Sequence, residues 1–221
     1  PPCVYYYSMN DENLSKAFAI LQEIKGQWQD NTINSLGNDP FLVLVSGILS
    51  HRTKDQVTKE ATQRLLEVAP TPEGILKIPE EELSRIIYPV GFYRRKAKTL
   101  RKTAEILLTR YQGKVPDDLE ELLKLPGVGR KTANLVLTMG FQKPAISVDT
   151  HIHRIVNRWG YVETKTPEET EKALREKLPL PYWEIINPLL VLFGQNICLP
   201  RRPRCSHCPV EEFCEKRGVE N

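Results

Sequence analysis

Residues 124–154, KLPGVGRKTANLVLTMGFQKPAISVDTHIHR, concentrate the side chains of this chain that are best placed to do chemistry. Gly127-Val128-Gly129 form a tight turn whose glycines expose consecutive backbone N–H groups. A helix is expected from about Arg130, and a helix N-terminus favours an anion such as a phosphate. Lys131 stands in that first turn beside Arg130. The helix N-terminus and the like charge both disfavour an ammonium there. A lysine must be neutral to attack carbon, so the setting suits a Schiff-base nucleophile, against the plain surface role most lysines have. Eighteen residues later comes Asp149, then Thr150-His151-Ile152-His153-Arg154. Asp149 reads first as the N-cap of the next helix. A carboxylate held by helix amides stays ionised, so the same residue can also stabilise a developing positive charge. His151 and His153 lack metal-ligand spacing, and His153 reads as structural.

A second concentration lies in the tail, Cys198-x6-Cys205-x2-Cys208-x5-Cys214. The N-terminal PPCVYYYSMN shows neither a charged n-region nor a long apolar stretch, so no secretory signal is expected. Four cysteines so spaced then argue for a metal site over disulfides. Zinc and a four-iron four-sulfur cluster both use four thiolates, and His207 could replace one cysteine on zinc. Between the first two cysteines lies a basic loop with Arg201, Arg202 and Arg204, suited to a phosphate backbone. The fifth cysteine, Cys3, stands alone. A third feature is the run Arg94, Arg95, Lys96, Lys98, Arg101 and Lys102, directly after Gly91-Phe92-Tyr93. A charge run is usually a solvated helix face. Basic residues around an aromatic at a loop tip also suit a wedge inserted into a duplex.

The elements that must position these groups are helices. The chain has 221 residues, 40% hydrophobic and 27% charged, with a net charge of +3 and a pI near 8.6. That is an ordinary globular composition, basic enough to permit nucleic-acid binding without demanding it. No run approaches the ~18 apolar residues that span a bilayer. Leu14, Phe18, Leu21 and Ile24 repeat at helical spacing over 11–28. Residues 38–50 open with Asn38-Asp39-Pro40 and run almost continuously apolar, which predicts a buried helix with strand as the rival. Further helices are expected over 51–70 (Val57, Ala61, Leu65, Val68), 71–79, 79–88, 93–110 and 117–124. The last group is 149–159, 166–179 with Thr166 and Glu169 as a capping box, and 182–196. Alternating runs bounded by hairpin turns are missing, so the chain is predicted to be all-α.

Taken together, LPGVGRKTAN, VDTHIHRIVNR, IYPVGFYRRKA and the 6-2-5 cysteine spacing resemble the endonuclease III family of helix-hairpin-helix DNA glycosylases, over roughly residues 35–217. The resemblance implies two helical domains flanking a DNA-binding cleft: a six-helix barrel at 33–143, and a discontinuous iron–sulfur domain at 1–32 and 144–221. It places the catalytic lysine and aspartate on Lys131 and Asp149, and the ligands of a [4Fe-4S] cluster on Cys198, Cys205, Cys208 and Cys214. DNA contacts are expected from Leu125, Gly127, Val128, Gly129, Arg130, His51, Arg52, Asp55, Arg94, Arg95, Arg201, Arg202 and Arg204, with Phe92 as the wedge. Arg52 departs from the family, which commonly has Gln there. The implied function is a bifunctional DNA glycosylase and AP lyase of base excision repair, acting on oxidised pyrimidines. Its partner is double-stranded DNA with damaged bases or abasic sites, with no membrane and a monomeric protein. The expected location is the cytoplasm and nucleoid of a prokaryote, or the nucleus or mitochondrion of a eukaryote. Two rivals are a monofunctional thymine or uracil mismatch glycosylase of the same fold, and a non-catalytic DNA-binding module with structural zinc.

Overall fold

The computed structural model describes residues 9–220, so Cys3 lies outside the described residues. Helix α1 spans Asp11–Ile24, with the Asn10 side chain accepting the Asn13 amide as its cap. The next seven helices are α2 (Pro40–Ser50), α3 (Asp55–Val68), α4 (Pro72–Lys77), α5 (Glu80–Ile87), α6 (Tyr93–Arg110), α7 (Leu119–Leu123) and α8 (Arg130–Leu135). A π turn, Val136–Gly140, continues α8. Then come α9 (Thr150–Arg158), α10 (Pro167–Lys177) and α11 (Trp183–Asn196), with short 3-10 turns in the cysteine loop. No strand occurs among the described residues, and none of their helices is long and apolar enough to cross a membrane. The all-α expectation holds.

The chain divides into two units, Asn31–Ser147 and Pro1–Asp30 with Val148–Asn221. In the first, α2 is the centre. Asp39 Oδ1 accepts the Phe41 and Leu42 amides, and Pro40 occupies the first turn, which decides helix over strand. From Phe41 to Leu49 every residue but Leu42 is buried. Around it pack Ala61 and Leu65 of α3, Leu83 and Ile87 of α5, Leu100 and Leu107 of α6, Leu122 of α7 and Ala133 of α8. The buried leucines and isoleucine among these each contribute about 1.5–3 kcal/mol relative to exposure. In the second unit, Phe18 of α1, Trp159 at the end of α9 and Phe193 of α11 form an aromatic core, with Phe18–Trp159 centroids 6.2 Å apart and Trp159–Phe193 centroids 6.0 Å apart.

Three local expectations are corrected. Residues 51–54 form the turn before α3 instead of its first turn. The inner face of α3 is Thr58, Ala61, Thr62 and Leu65, and Val68 is 63% exposed, because the stripe is rotated from the aliphatic residues alone. At α10 the Glu169 amide donates to Thr166 Oγ1, but the Glu169 carboxylate accepts the Lys165 amide instead of the Thr166 amide, so the box closes one residue early.

Candidate active site and nucleic-acid interface

The turn between α7 and α8 is a helix-hairpin-helix. Asp118 caps α7 through the Glu121 amide. Gly127 has φ +74°, the left-handed region that favours glycine. Leu125 and Val128 are buried, and their amides donate to the Leu122 and Leu125 carbonyls. These two residues therefore build the hairpin and offer neither side chain nor amide outward. Gly127, Gly129 and Arg130 are exposed, and the amides of the two glycines take no part in the hairpin's backbone bonding. Thr103 of α6 holds the turn from behind, donating from Oγ1 to the Pro126 carbonyl at 3.2 Å.

Lys131 is exposed on the first turn of α8, followed by buried Thr132, Ala133 and Asn134. Its carbonyl accepts the buried Ser147 hydroxyl at 2.9 Å, so the backbone beneath it is fixed while the amine faces solvent. Asp149 is the N-cap of α9, accepting the Ile152 amide on Oδ1 at 3.0 Å, and is half-buried. His153 Nδ1 lies 2.6 Å from Thr170 Oγ1, which joins α9 to α10.

His51, Arg52, Phe92, Arg95 and Gly127 line one pocket in the Asn31–Ser147 unit, together with Ile48, Lys96 and Thr99. Phe92 is 56% exposed, and the Arg52 guanidinium lies 5.8 Å from its ring centroid. Asp55, the first residue of α3, does not line that pocket. The basic run splits. Arg94, Arg95, Lys98 and Lys102 are exposed. Lys96 is only 6% exposed and donates to the carbonyls of Leu49 and His51 and to Thr53 Oγ1. Arg101 is half-buried and donates to the Leu76 and Ile78 carbonyls. The signal was present, because Lys96 lies four residues before Leu100 on the stripe continued by Thr103 and Leu107.

Burial pushes the Lys96 ammonium down from 10.5 to about 8. The folded chain then gives up this proton before the unfolded chain does. Between about pH 8 and 10.5 the unfolded state binds more protons, so the Lys96 contribution to stability rises with pH. The melting temperature of wild type relative to Lys96→Met is expected to climb across that window. A pH-independent difference would show that burial does not lower the Lys96 pKa, its hydrogen bonds having offset the desolvation.

Cys198, Cys205, Cys208 and Cys214 are free thiols that line a single pocket. His207 is exposed, bonds Ser206 and is not part of that lining. The loop is built on α9. Arg154 donates from Nε and Nη2 to the Cys198 carbonyl, and Arg158 to the Leu199 and Pro200 carbonyls and to Cys198 Sγ at 3.3 Å. The sequence assigns neither arginine a role, because their carbonyl partners, about 40 residues away, leave no local trace. Burial pushes the Cys208 thiol up to about 12 and Cys214 up to about 11, so both need compensating positive charge to ionise. No group of three or more His, Cys, Asp or Glu among the described residues is placed to hold a single metal ion. Four thiols lining one pocket are the donor set that a structural zinc and a [4Fe-4S] cluster both use. Arg201, Arg202 and Arg204 are exposed on the same loop, closed by the Arg204 amide on the Ile197 carbonyl.

Residues 45–180 match the HhH-GPD superfamily base excision DNA repair protein profile. Endonuclease III of Thermotoga maritima is 52% identical over 82% of this chain and 85% of its own length. The chain belongs to the endonuclease III family. It is a DNA glycosylase of base excision repair. The chloroplastic Endonuclease III homolog 1 of Arabidopsis thaliana is 44% identical over 84% of this chain, which spans only 54% of that longer relative. Among solved structures, a trapped Endonuclease III–DNA covalent intermediate in an estranged-adenine complex superposes with a TM-score of 0.82 at 33% identity, covering 94% of this chain and 96–97% of such neighbours.

Proposed function

We propose that this chain is a bifunctional glycosylase and AP lyase that removes oxidised pyrimidines, of the thymine glycol type, from duplex DNA. The observation that carries the proposal is Lys131: an exposed amine on a backbone pinned by Ser147, one residue into the helix that follows the glycine hairpin. The covalent DNA complex of its structural relative supports a nucleophile in this fold. The damaged nucleotide leaves the stack, and Phe92 and Arg52 take its place. Neutral Lys131 attacks C1′ with its Nζ lone pair, the glycosidic bond breaks, and the departing base takes up a proton. Asp149 stabilises the positive charge that develops on the sugar. Nζ then gives up a proton, the C1′–O4′ bond opens as O4′ takes up a proton, and the resulting protonated Schiff base acidifies the C2′ proton, whose loss expels the 3′ phosphate by β-elimination. The amides of Gly127 and Gly129, with Arg130, hold a backbone phosphate, and Arg94, Arg95 and the Arg201–Arg204 loop extend the contact. The protein works as a monomer on damaged double-stranded DNA.

The test is incubation with duplexes carrying thymine glycol, uracil or mismatched thymine, with and without borohydride. Strand cutting and a trapped adduct on thymine glycol are expected. Base release without cutting would install the monofunctional mismatch reading instead.

Cys198, Cys205, Cys208 and Cys214 would hold a [4Fe-4S] cluster, which would shape the arginine loop and supply no bond-breaking step. Purified protein is then expected to be coloured, since iron–thiolate clusters absorb in the visible and zinc is a colourless d¹⁰ ion. Oxidative loss of the cluster should weaken DNA binding. A colourless protein with one zinc per chain would overturn the assignment.

A further inference from the structure

We propose that Lys96 is a positioning residue that locks Arg52 and Phe92 into one rigid, two-pronged insert for duplex DNA. The inference rests on the reading of Arg52 and Phe92 as the groups that enter the duplex. The two residues come from separate loops, yet both have left-handed backbone, with φ of 50° and 56°. Non-glycine residues in that region need surrounding structure to hold them. The structure supplies it as a closed hydrogen-bond circuit. Lys96 Nζ donates to the Leu49 carbonyl at 2.8 Å, to the His51 carbonyl and to Thr53 Oγ1 at 3.2 Å, so all three ammonium protons are used. Thr53 Oγ1 also accepts the Gly91 amide at 2.9 Å and donates to the His51 carbonyl at 3.2 Å. The Lys96 amide donates back to the Phe92 carbonyl at 2.9 Å. The circuit thus runs from α6 through the Arg52 loop, across Thr53 to Gly91, and home through Phe92.

Two further observations point the same way. The loops meet at backbone level: a Cβ added at Gly91 would lie 2.4 Å from the Arg52 carbonyl oxygen, so only glycine permits the approach. Lys96 also occupies a position on the buried stripe of α6 that an apolar residue would fill with less desolvation. A charge kept there serves the carbonyls that end α2, the place where a cation is favoured. Lys96 is buried and acts only through the two residues it holds. Holding them before DNA arrives removes an ordering cost from the flipping step.

The experiment uses a duplex with a tetrahydrofuran abasic analogue opposite 2-aminopurine, whose fluorescence reports how the orphan base is engaged. Wild type should bind and change the signal. If wild type binds without changing it, the insertion reading itself fails. Given a wild-type response, Lys96→Met should bind but lose about threefold or more of the signal change, with Lys96→Arg restoring part of it as a donor-bearing cation. Thr53→Val, a half-buried loop residue, breaks the hub without touching the α6 core and should lose the signal in parallel. Full signal from both Lys96→Met and Thr53→Val overturns the proposal. Should Lys96→Met fail to fold, Thr53→Val decides alone, alongside amide exchange in wild type. There the Gly91 amide is expected to be protected, and rapid exchange at that amide sinks the circuit.

Discussion

Lys131→Ala is expected to bind damaged duplex normally, form no borohydride-trapped adduct and cut no strand, with a loss of about 10³-fold or more in turnover, as for removal of a covalent nucleophile. The structure makes this a clean experiment. The side chain is exposed, and the contact that fixes the residue is made by its carbonyl, which alanine retains. Alanine is also the best helix former, so stability should stay within about 0.5 kcal/mol of wild type. Lys131→Arg sharpens the test. Arginine keeps the charge at the helix start but stays protonated and cannot form a Schiff base. It is expected to fail as fully as alanine. An active Lys131→Arg would make residue 131 a phosphate contact, and trapping by Lys131→Ala would move the nucleophile elsewhere.

Asp149 caps α9 and is proposed to support the charge on the sugar, and substitutions at this position separate the two roles. Its Oδ1 caps α9 through the Ile152 amide. Asparagine and serine cap a helix about as well as aspartate, whereas alanine loses about 0.5–2 kcal/mol. Asp149→Asn and Asp149→Ser should therefore melt close to wild type. Both should nevertheless lose about 10²–10³-fold in rate, because neither carries the charge that supports the oxocarbenium-like sugar. Asp149→Ala should lose both rate and stability. The readouts are single-turnover base release and thermal unfolding, measured on the same preparations. An Asp149→Asn rate within about threefold of wild type, under 1 kcal/mol of barrier, would reduce Asp149 to a cap.

The two substitutions also show why so much was legible in the chain. The Asp149 cap, the Pro40 start of α2 and the glycine hairpin are local patterns, decided within about four residues, and the cysteine spacing is read within a single stretch of 17 residues. Local backbone chemistry dominates at helix ends, so residue type and spacing suffice there. The helix-or-strand ambiguity over 38–50 closed for the same reason, through the Asp39 cap.

Longer-range pairing was not legible. Six cations near Phe92 look alike in sequence, yet two of them point inward. Their fate depends on carbonyls of Leu49, His51, Leu76 and Ile78, contributed by chain 23 to 47 residues away. Val68 shows the converse: an aliphatic residue at helical spacing is left exposed because Thr58 and Thr62 fill the inner face. The hairpin too needed the fold to show that Leu125 and Val128 build it while Gly127 and Gly129 face out. By itself, then, the sequence determined the helices, the nucleophile and acid to test, and the four thiols. Only the tertiary structure decided which charges are spent inside, because a buried cation is selected by acceptors that a distant segment supplies.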